Sequence, residues 1–204
     1  MLFFLDVVSP IPEFSIIDDN KLIFNQKIIS SENEKLSDNI IQKYLYVENQ
    51  LKFTKFLKKA IITTGPGSYT SLRVGASFLS GIIISKDILL CQLSLGDILK
   101  IKKEKNKILK IAMFVCSSND QKFLCKINDD YQINYIKIEN DDLIKLNGIK
   151  KVYYNLNKLN FSSDKLTQHK FSFLEEILTN NQKLIFLKEK IIKPKFISNN
   201  KLLN

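Results

Sequence analysis

Thr63-Thr64-Gly65-Pro66-Gly67-Ser68-Tyr69-Thr70-Ser71-Leu72-Arg73-Val74-Gly75-Ala76-Ser77 is the one glycine-rich stretch of the chain, and the residue pattern changes across it. Before it, Ala60, Ile61 and Ile62 read as a short buried strand. After it, small and apolar side chains recur at helical spacing as far as Ile84. Strand, glycine turn and helix, in that order, predict an α/β arrangement. In such a turn, backbone N–H groups at a helix N-terminus face either an anion or a closely packed neighbour. Gly65 and Gly67 allow backbone angles or close approaches that a side chain would prevent. Ser68 or Thr70 can cap the helix. No Gly-Lys-Ser/Thr follows, so this is not a Walker A loop, and Ser68 does not sit in a GxSxG elbow. From residue chemistry alone the stretch is a structural turn or a binding loop.

Arg73 favours a specific contact. The chain carries 31 Lys and Arg, and Arg73 is its one arginine. A guanidinium about one turn into a helix, in a chain that elsewhere uses lysine, implies a planar, forked contact that lysine cannot replace. Along the same helix Gly75, Ala76, Ser77, Ser80 and Gly81 form a small-residue stripe suited to close helix packing, within the fold or against a partner.

Upstream, residues 1–8 form an apolar strand carrying Asp6, ended by Ser9-Pro10-Ile11-Pro12. Strands over 14–17 and 22–28 follow, joined by Asp18-Asp19-Asn20, which predicts an antiparallel meander. Ser31 and Glu34 are spaced as a capping box, and Leu36, Ile40, Ile41, Tyr44 and Leu45 then predict a helix over 31–46. A further helical piece is expected over 51–59. Downstream come a strand at 88–92, a helix from Ser94, strands at 108–116, 122–127 and 132–138, a short helix at 141–146, a strand at 151–154 and a helix at 171–180. The lysine-rich run 102–107 marks a boundary by composition. It divides the chain into an N-terminal lobe, 1–102, and a smaller basic lobe, 103–204.

Composition excludes several classes. The chain has 204 residues, 45% hydrophobic and 25% charged, which is a globular balance with enough length for a core without staples. No apolar run spans a bilayer, and no basic leader precedes the first strand, so a cytoplasmic protein with no membrane association is expected. Cys91, Cys116 and Cys125 are odd in number and lack CxxC spacing, as buried apolar cysteines in a reducing compartment would. His169 is the single histidine. It lies in a polar stretch that reads as loop, so neither a metal-binding pair nor a catalytic triad is indicated, and no metal or cofactor is expected. The net charge of +10 is uneven, with a balance of +1 over residues 1–100 and +9 over 101–204. That is either a solvated lysine surface or an attraction to a polyanion.

Gly65-Pro66-Gly67-Ser68-Tyr69-Thr70-Ser71-Leu72-Arg73-Val74-Gly75 resembles the GPGSFTGLRIG signature of the TsaB family, small bacterial relatives of the threonylcarbamoyl-transferase TsaD. Phe4-Leu5-Asp6 resembles the family's first strand, and Ile192-Lys193-Pro194-Lys195-Phe196-Ile197 its closing segment. The resemblance is strongest over residues 60–85. It implies an α/β actin/sugar-kinase (ASKHA) fold of two lobes with mixed sheets, the second reduced. It also implies a non-catalytic subunit that pairs with a TsaD homologue, works with the ATPase TsaE, and serves threonylcarbamoyladenosine formation on tRNAs reading codons that begin with A. On this reading Gly65, Pro66, Gly67, Ser68, Thr70, Arg73 and Gly75 shape an assembly element. Leu36, Ile40, Ala76 and Ser80 lie on the partner helix face, or on a homodimer face when TsaD is absent, and tRNA is met through the complex.

Departures weaken any nucleotide chemistry. The family's Asp-Thr-Ser becomes Asp6-Val7-Val8, leaving Asp6 as a vestige of a phosphate loop. Ser71 replaces a glycine, and Cys116-Ser117-Ser118 stands where the family has Asp-Ala-Arg. The alternatives from other classes are a nucleotide-dependent enzyme of the same fold and a stand-alone tRNA-binding protein using the basic half.

Overall fold

The computed structural model describes residues 1–30, 34–106, 111–116, 121–138, 149–155, 167–198 and 201–203. The expected helix at 141–146, Ser31, Ser117 and Ser118 lie outside them, as does the side chain of Cys116. The chain opens with β1 (Leu2–Asp6), β2 (Glu13–Asp18) and β3 (Lys21–Lys27), and then α1 (Leu36–Leu51). A 3-10 turn at Phe53–Phe56 leads into β4 (Lys59–Gly65), α2 (Tyr69–Ile83) and β5 (Leu89–Ser94). These strands form one sheet in the order β3-β2-β1-β4-β5. Its β1–β2 and β2–β3 pairs are antiparallel, and its β1–β4 and β4–β5 pairs are parallel.

After α3 (Leu95–Asn106) the pattern repeats. Strands β6 (Ile111–Cys116), β7 (Lys122–Ile127), β8 (Ile133–Ile138), β9 (Lys151–Tyr154) and β10 (Thr167–Lys170) form a sheet ordered β10-β9-β6-β7-β8. Here too the first three strands are an antiparallel meander, and β6–β9 and β9–β10 are parallel. The second sheet thus matches the first pair for pair, with shorter strands at β9 and β10. Two mixed sheets of one topology are the architecture that the actin/sugar-kinase resemblance implies. The chain ends with α4 (Phe173–Asn180) and the short hairpin β11 (Phe196–Ser198) with β12 (Lys201–Leu203).

β1 sits at the centre of the first sheet with every side chain buried, which is why its sequence is a continuous apolar run rather than an alternating one. An aromatic cluster ties it to the helical layer. Phe3 stacks on Phe53 at 5.8 Å and meets Phe14 at 5.4 Å, while Tyr44 of α1 sets its edge to Phe53 and to Phe78 of α2. Each buried ring of this kind contributes about 1.5–3 kcal/mol. Tyr44 also shares a 2.7 Å hydrogen bond with Thr54, whose N–H and hydroxyl donate to Glu48 and hold the end of α1.

α3 packs against β4 and β5 on one side and β6 and β7 on the other, so it belongs to both sheets. The lysine run 102–107 begins inside this helix. Lys103 is 3% exposed, donates to the Asn128 carbonyl and covers the Tyr131 ring; Lys102 pairs with the buried Glu176 of α4. Lysine is ordinarily solvated, whereas here the long stems pack and the ammonium groups of Lys102 and Lys103 find partners.

α1 starts later than the Ser31–Glu34 pair suggests. Its N-cap is Lys35, with no side-chain cap bond, and Glu34 instead accepts from the N–H of Ser30 at 2.7 Å. The piece expected over 51–59 is only the 3-10 turn. His169, read as a loop residue, lies in the edge strand β10, where its ring packs 5.7 Å from Tyr153. Burial and the cations Lys151 and Lys102 lower its pKa.

Candidate functional site

The glycine stretch joins the C-terminal end of β4 to the N-terminus of α2, beside the end of β1. Asp6 terminates β1 at 2% exposure and folds the chain over itself. One carboxylate oxygen accepts from the N–H of Val8 at 2.9 Å, the N–H of Ser9 at 3.2 Å and the Thr63 hydroxyl at 2.9 Å. Thr63 Oγ1 in turn accepts from the N–H of Val7 at 2.9 Å. Burial raises the Asp6 pKa against the pull of these bonds. Its hydrogen bonds thus close the β1–β2 turn and clamp it to β4.

Val7 and Val8, both 0% exposed, fill the space beside the helix. A Cβ on Gly75 would lie 2.6 Å from a Val7 methyl, so Gly75 is the groove in α2 that lets β1 approach. A Cβ on Gly67 would meet Val8 at 3.4 Å, an ordinary contact. Valine methyls, not hydroxyls, face the two glycines. Gly65 has φ +109°, and a Cβ there would lie 2.6 Å from the Lys195 carbonyl oxygen. Ser68 is the N-cap of α2, accepting from the N–H of Ser71 at 3.5 Å, while Thr70 is exposed on the first turn. Pro66 is buried.

The neighbour that Gly65 accommodates comes from the far end of the sequence. Residues 184–196 return along the first sheet. Leu187 exchanges two backbone hydrogen bonds with Leu90 of the edge strand β5, at 2.8 and 2.9 Å. Lys190 donates to the carbonyls of Lys86 and Ile88, and the Gln92 side chain bonds the Ile191 carbonyl and the Lys193 N–H. The N–H of Lys195 donates to the Thr64 carbonyl at 2.7 Å, and Phe196 packs on Tyr69 at 4.6 Å. Nothing local in the closing segment encodes its place, since the bond from the Lys195 N–H to the Thr64 carbonyl joins residues more than 100 positions apart.

Of the residues expected on a partner face, Leu36, Ile40 and Ala76 are buried within the chain at 6%, 2% and 9% exposure, and Ser80 is half-buried. Leu36 and Ile40 join the hydrophobic core. The side chains that α1 and α2 turn outward are one position along: Ile41 at 56% and Leu45 at 50% on α1, with Arg73 and Ser77 exposed on α2. Between the helices runs a groove of about 440 Å³ lined by Ser37, Ile40, Ile41, Arg73, Val74, Ser77 and Phe78. Gly81, further along α2, has no atom within 4 Å of an added Cβ. Gly81→Ala is therefore expected to raise the unfolding free energy by about 0.5–1 kcal/mol, through lower entropy of the unfolded chain, measured by urea denaturation.

A larger cleft, about 620 Å³, opens between β5, α3 and the returning segment. Lys183 and Glu104 pair across its lining at 3.4 Å. Cys91 at its floor is buried, and burial with Asp97 nearby pushes its thiol up to about 12, so it is protonated at neutral pH and not a nucleophile. Cys125 is likewise buried and its pKa raised. Among the described residues no three His, Cys, Asp or Glu side chains are grouped as metal ligands, and no helix is long and apolar enough to cross a membrane.

No protein-family model and no curated protein sequence matches the chain. Solved structures do. YeaZ from Pseudomonas aeruginosa, of the TsaB family, superposes with a TM-score of 0.56 over 94% of this chain and 98% of its own, at 8% identity. The chain has a TsaB-like fold. A second P. aeruginosa structure, described as an uncharacterised protein with similarity to peptidase YeaZ, gives 0.56 over 89% of this chain and 90% of its own, also at 8% identity. At these identities the TsaB-like match is one of backbone architecture. It extends over most of both chains.

Proposed function

We propose that this TsaB-like chain is a non-catalytic subunit that docks on a TsaD homologue through the outer face of α1 and α2, and works with TsaE in forming threonylcarbamoyladenosine on tRNA. The observation that carries the reading is the contrast between loop and helices. Asp6, Thr63, Gly65 and Gly75 are spent on contacts within the chain, whereas Ile41 and Leu45 stand half exposed beside a groove. Large apolar side chains kept in water next to a concave strip suit a helix-on-helix contact with another protein. A phosphotransferase would need open acidic anchors and phosphate loops, and Val7 and Val8 fill the corresponding space. tRNA is then met by the assembled complex rather than by this chain alone.

Co-expression with the cognate TsaD homologue tests the reading. The wild-type chain is expected to co-purify, and Ile41→Glu to weaken the complex by about 1–3 kcal/mol without changing thermal stability, since Ile41 is exposed in the free chain. Failure of the wild-type chain to co-purify, or unchanged threonylcarbamoyladenosine in tRNA from depleted cells, would sink it.

A further inference from the structure

Arg73 lies on the rim of the α1/α2 groove, exposed, and its guanidinium is held in place by the chain itself. Its Nη1 donates to the Tyr69 hydroxyl at 3.0 Å, and the group lies 5.2 Å from the Tyr69 ring centroid. Phe196 packs on that ring at 4.6 Å. The partner in this contact is a tyrosine, not a carboxylate. Among the described residues no carboxylate pairs with Arg73, and α2 carries no other charged side chain. Asp38, the acid in the first turn of α1, accepts instead from the Ser37 hydroxyl at 2.7 Å.

These facts constrain whatever covers the groove. A guanidinium taken out of water with only a phenol beside it leaves an uncompensated charge, which is strongly unfavourable. With one of its five donors used by Tyr69, Arg73 keeps a fork suited to a bidentate carboxylate. We propose that Arg73 is the charge anchor of the docking face. It receives an Asp or Glu from a partner helix whose neighbouring apolar side chains lie against Ile41 and the groove. The inference rests on the subunit reading above and names the chemistry that the partner must present there. It also gives a reason for an arginine at this position in a chain that otherwise uses lysine: an ammonium does not fork onto a carboxylate.

The test measures binding of the full-length chain to its purified cognate TsaD homologue at low and high salt, for wild type, Arg73→Lys and Arg73→Glu. Circular dichroism and thermal unfolding serve as folding controls. Arg73→Glu is expected to weaken binding roughly 30-fold or more and Arg73→Lys by a smaller factor, with the salt dependence of wild type lost in Arg73→Glu. Wild-type binding that Arg73→Glu leaves intact, while Ile41→Glu weakens it, would overturn this inference alone. Absence of wild-type binding would overturn the subunit reading and the anchor with it. Loss in Arg73→Glu of self-association only, with partner binding unchanged, would assign the carboxylate to a second copy and refute the partner named here.

Discussion

Asp6→Ala is expected to lower the unfolding free energy by about 3–4 kcal/mol, and Asp6→Asn by less than about 1 kcal/mol. The difference follows from what the carboxylate does. It accepts two backbone N–H groups and the Thr63 hydroxyl in a site with almost no water. Alanine leaves those donors buried without an acceptor. An asparagine carbonyl oxygen can stand where the accepting carboxylate oxygen stands. Burial also raises the Asp6 pKa above 3.8, so the folded state holds the proton more tightly than the unfolded chain. In the window between the two pKa values the native state binds more protons, and stability therefore falls as pH rises through it. Asp6→Asn should remove that component of the pH dependence. Chemical denaturation of the three proteins from acid to neutral pH reads both effects. An Asp6→Asn protein as unstable as Asp6→Ala would show that the charge itself is required, and would reopen a role for Asp6 beyond closing the turn.

The same region shows how far residues alone carry a reading. The meander, the strand entering the glycine turn and the helix leaving it are written in local signals: apolar runs, turn residues, a serine cap. Those signals act within a few residues, so each element formed where expected. α1 is different. Ile40 with Tyr44 and Ile41 with Leu45 are both spaced by four, and spacing cannot say which stripe turns inward. Packing against β1 and α2 decides, burying Leu36 and Ile40 and leaving Ile41 out. The small-residue stripe of α2 suits packing within the fold or against a partner, and Ala76 packs within the fold, at 9% exposure. Gly75 beside it serves the approach of Val7, a residue 68 positions earlier. The matching topology of the two sheets left no trace in residue pattern, because pairing order is fixed by which strands meet and not by what each strand says. β10 is the extreme case: Thr167-Gln168-His169-Lys170 is polar throughout and is a strand only because its backbone pairs with β9.

Gly65→Ala is expected to cost about 3–5 kcal/mol, or to free the returning segment from the first sheet, whereas Gly67→Ala should cost less than about 1 kcal/mol. Both glycines belong to one motif, yet they do different things. At Gly65 the backbone has φ +109°, which an L side chain adopts only under strain, and the added methyl would lie 2.6 Å from the Lys195 carbonyl oxygen. Neither atom is the free end of a side chain. To relieve the clash the chain must move Lys195 away, breaking the 2.7 Å bond from its N–H to the Thr64 carbonyl and unseating Phe196 from Tyr69. At Gly67 the nearest atoms are two Val8 methyls at 3.4 and 3.6 Å and the Val8 Cα at 3.5 Å, all at ordinary van der Waals distance. Hydrogen exchange at the Lys195 amide, together with limited proteolysis over 184–196, separates global loss from local release. If Gly65→Ala leaves that amide protected and the stability unchanged, the first glycine of the signature is not the seat of the closing segment. If instead the segment is released, the stack that steadies Arg73 is lost as well, and partner binding should weaken even in a folded protein. The glycine turn and the docking face would then be parts of one device, joined through residues at opposite ends of the chain.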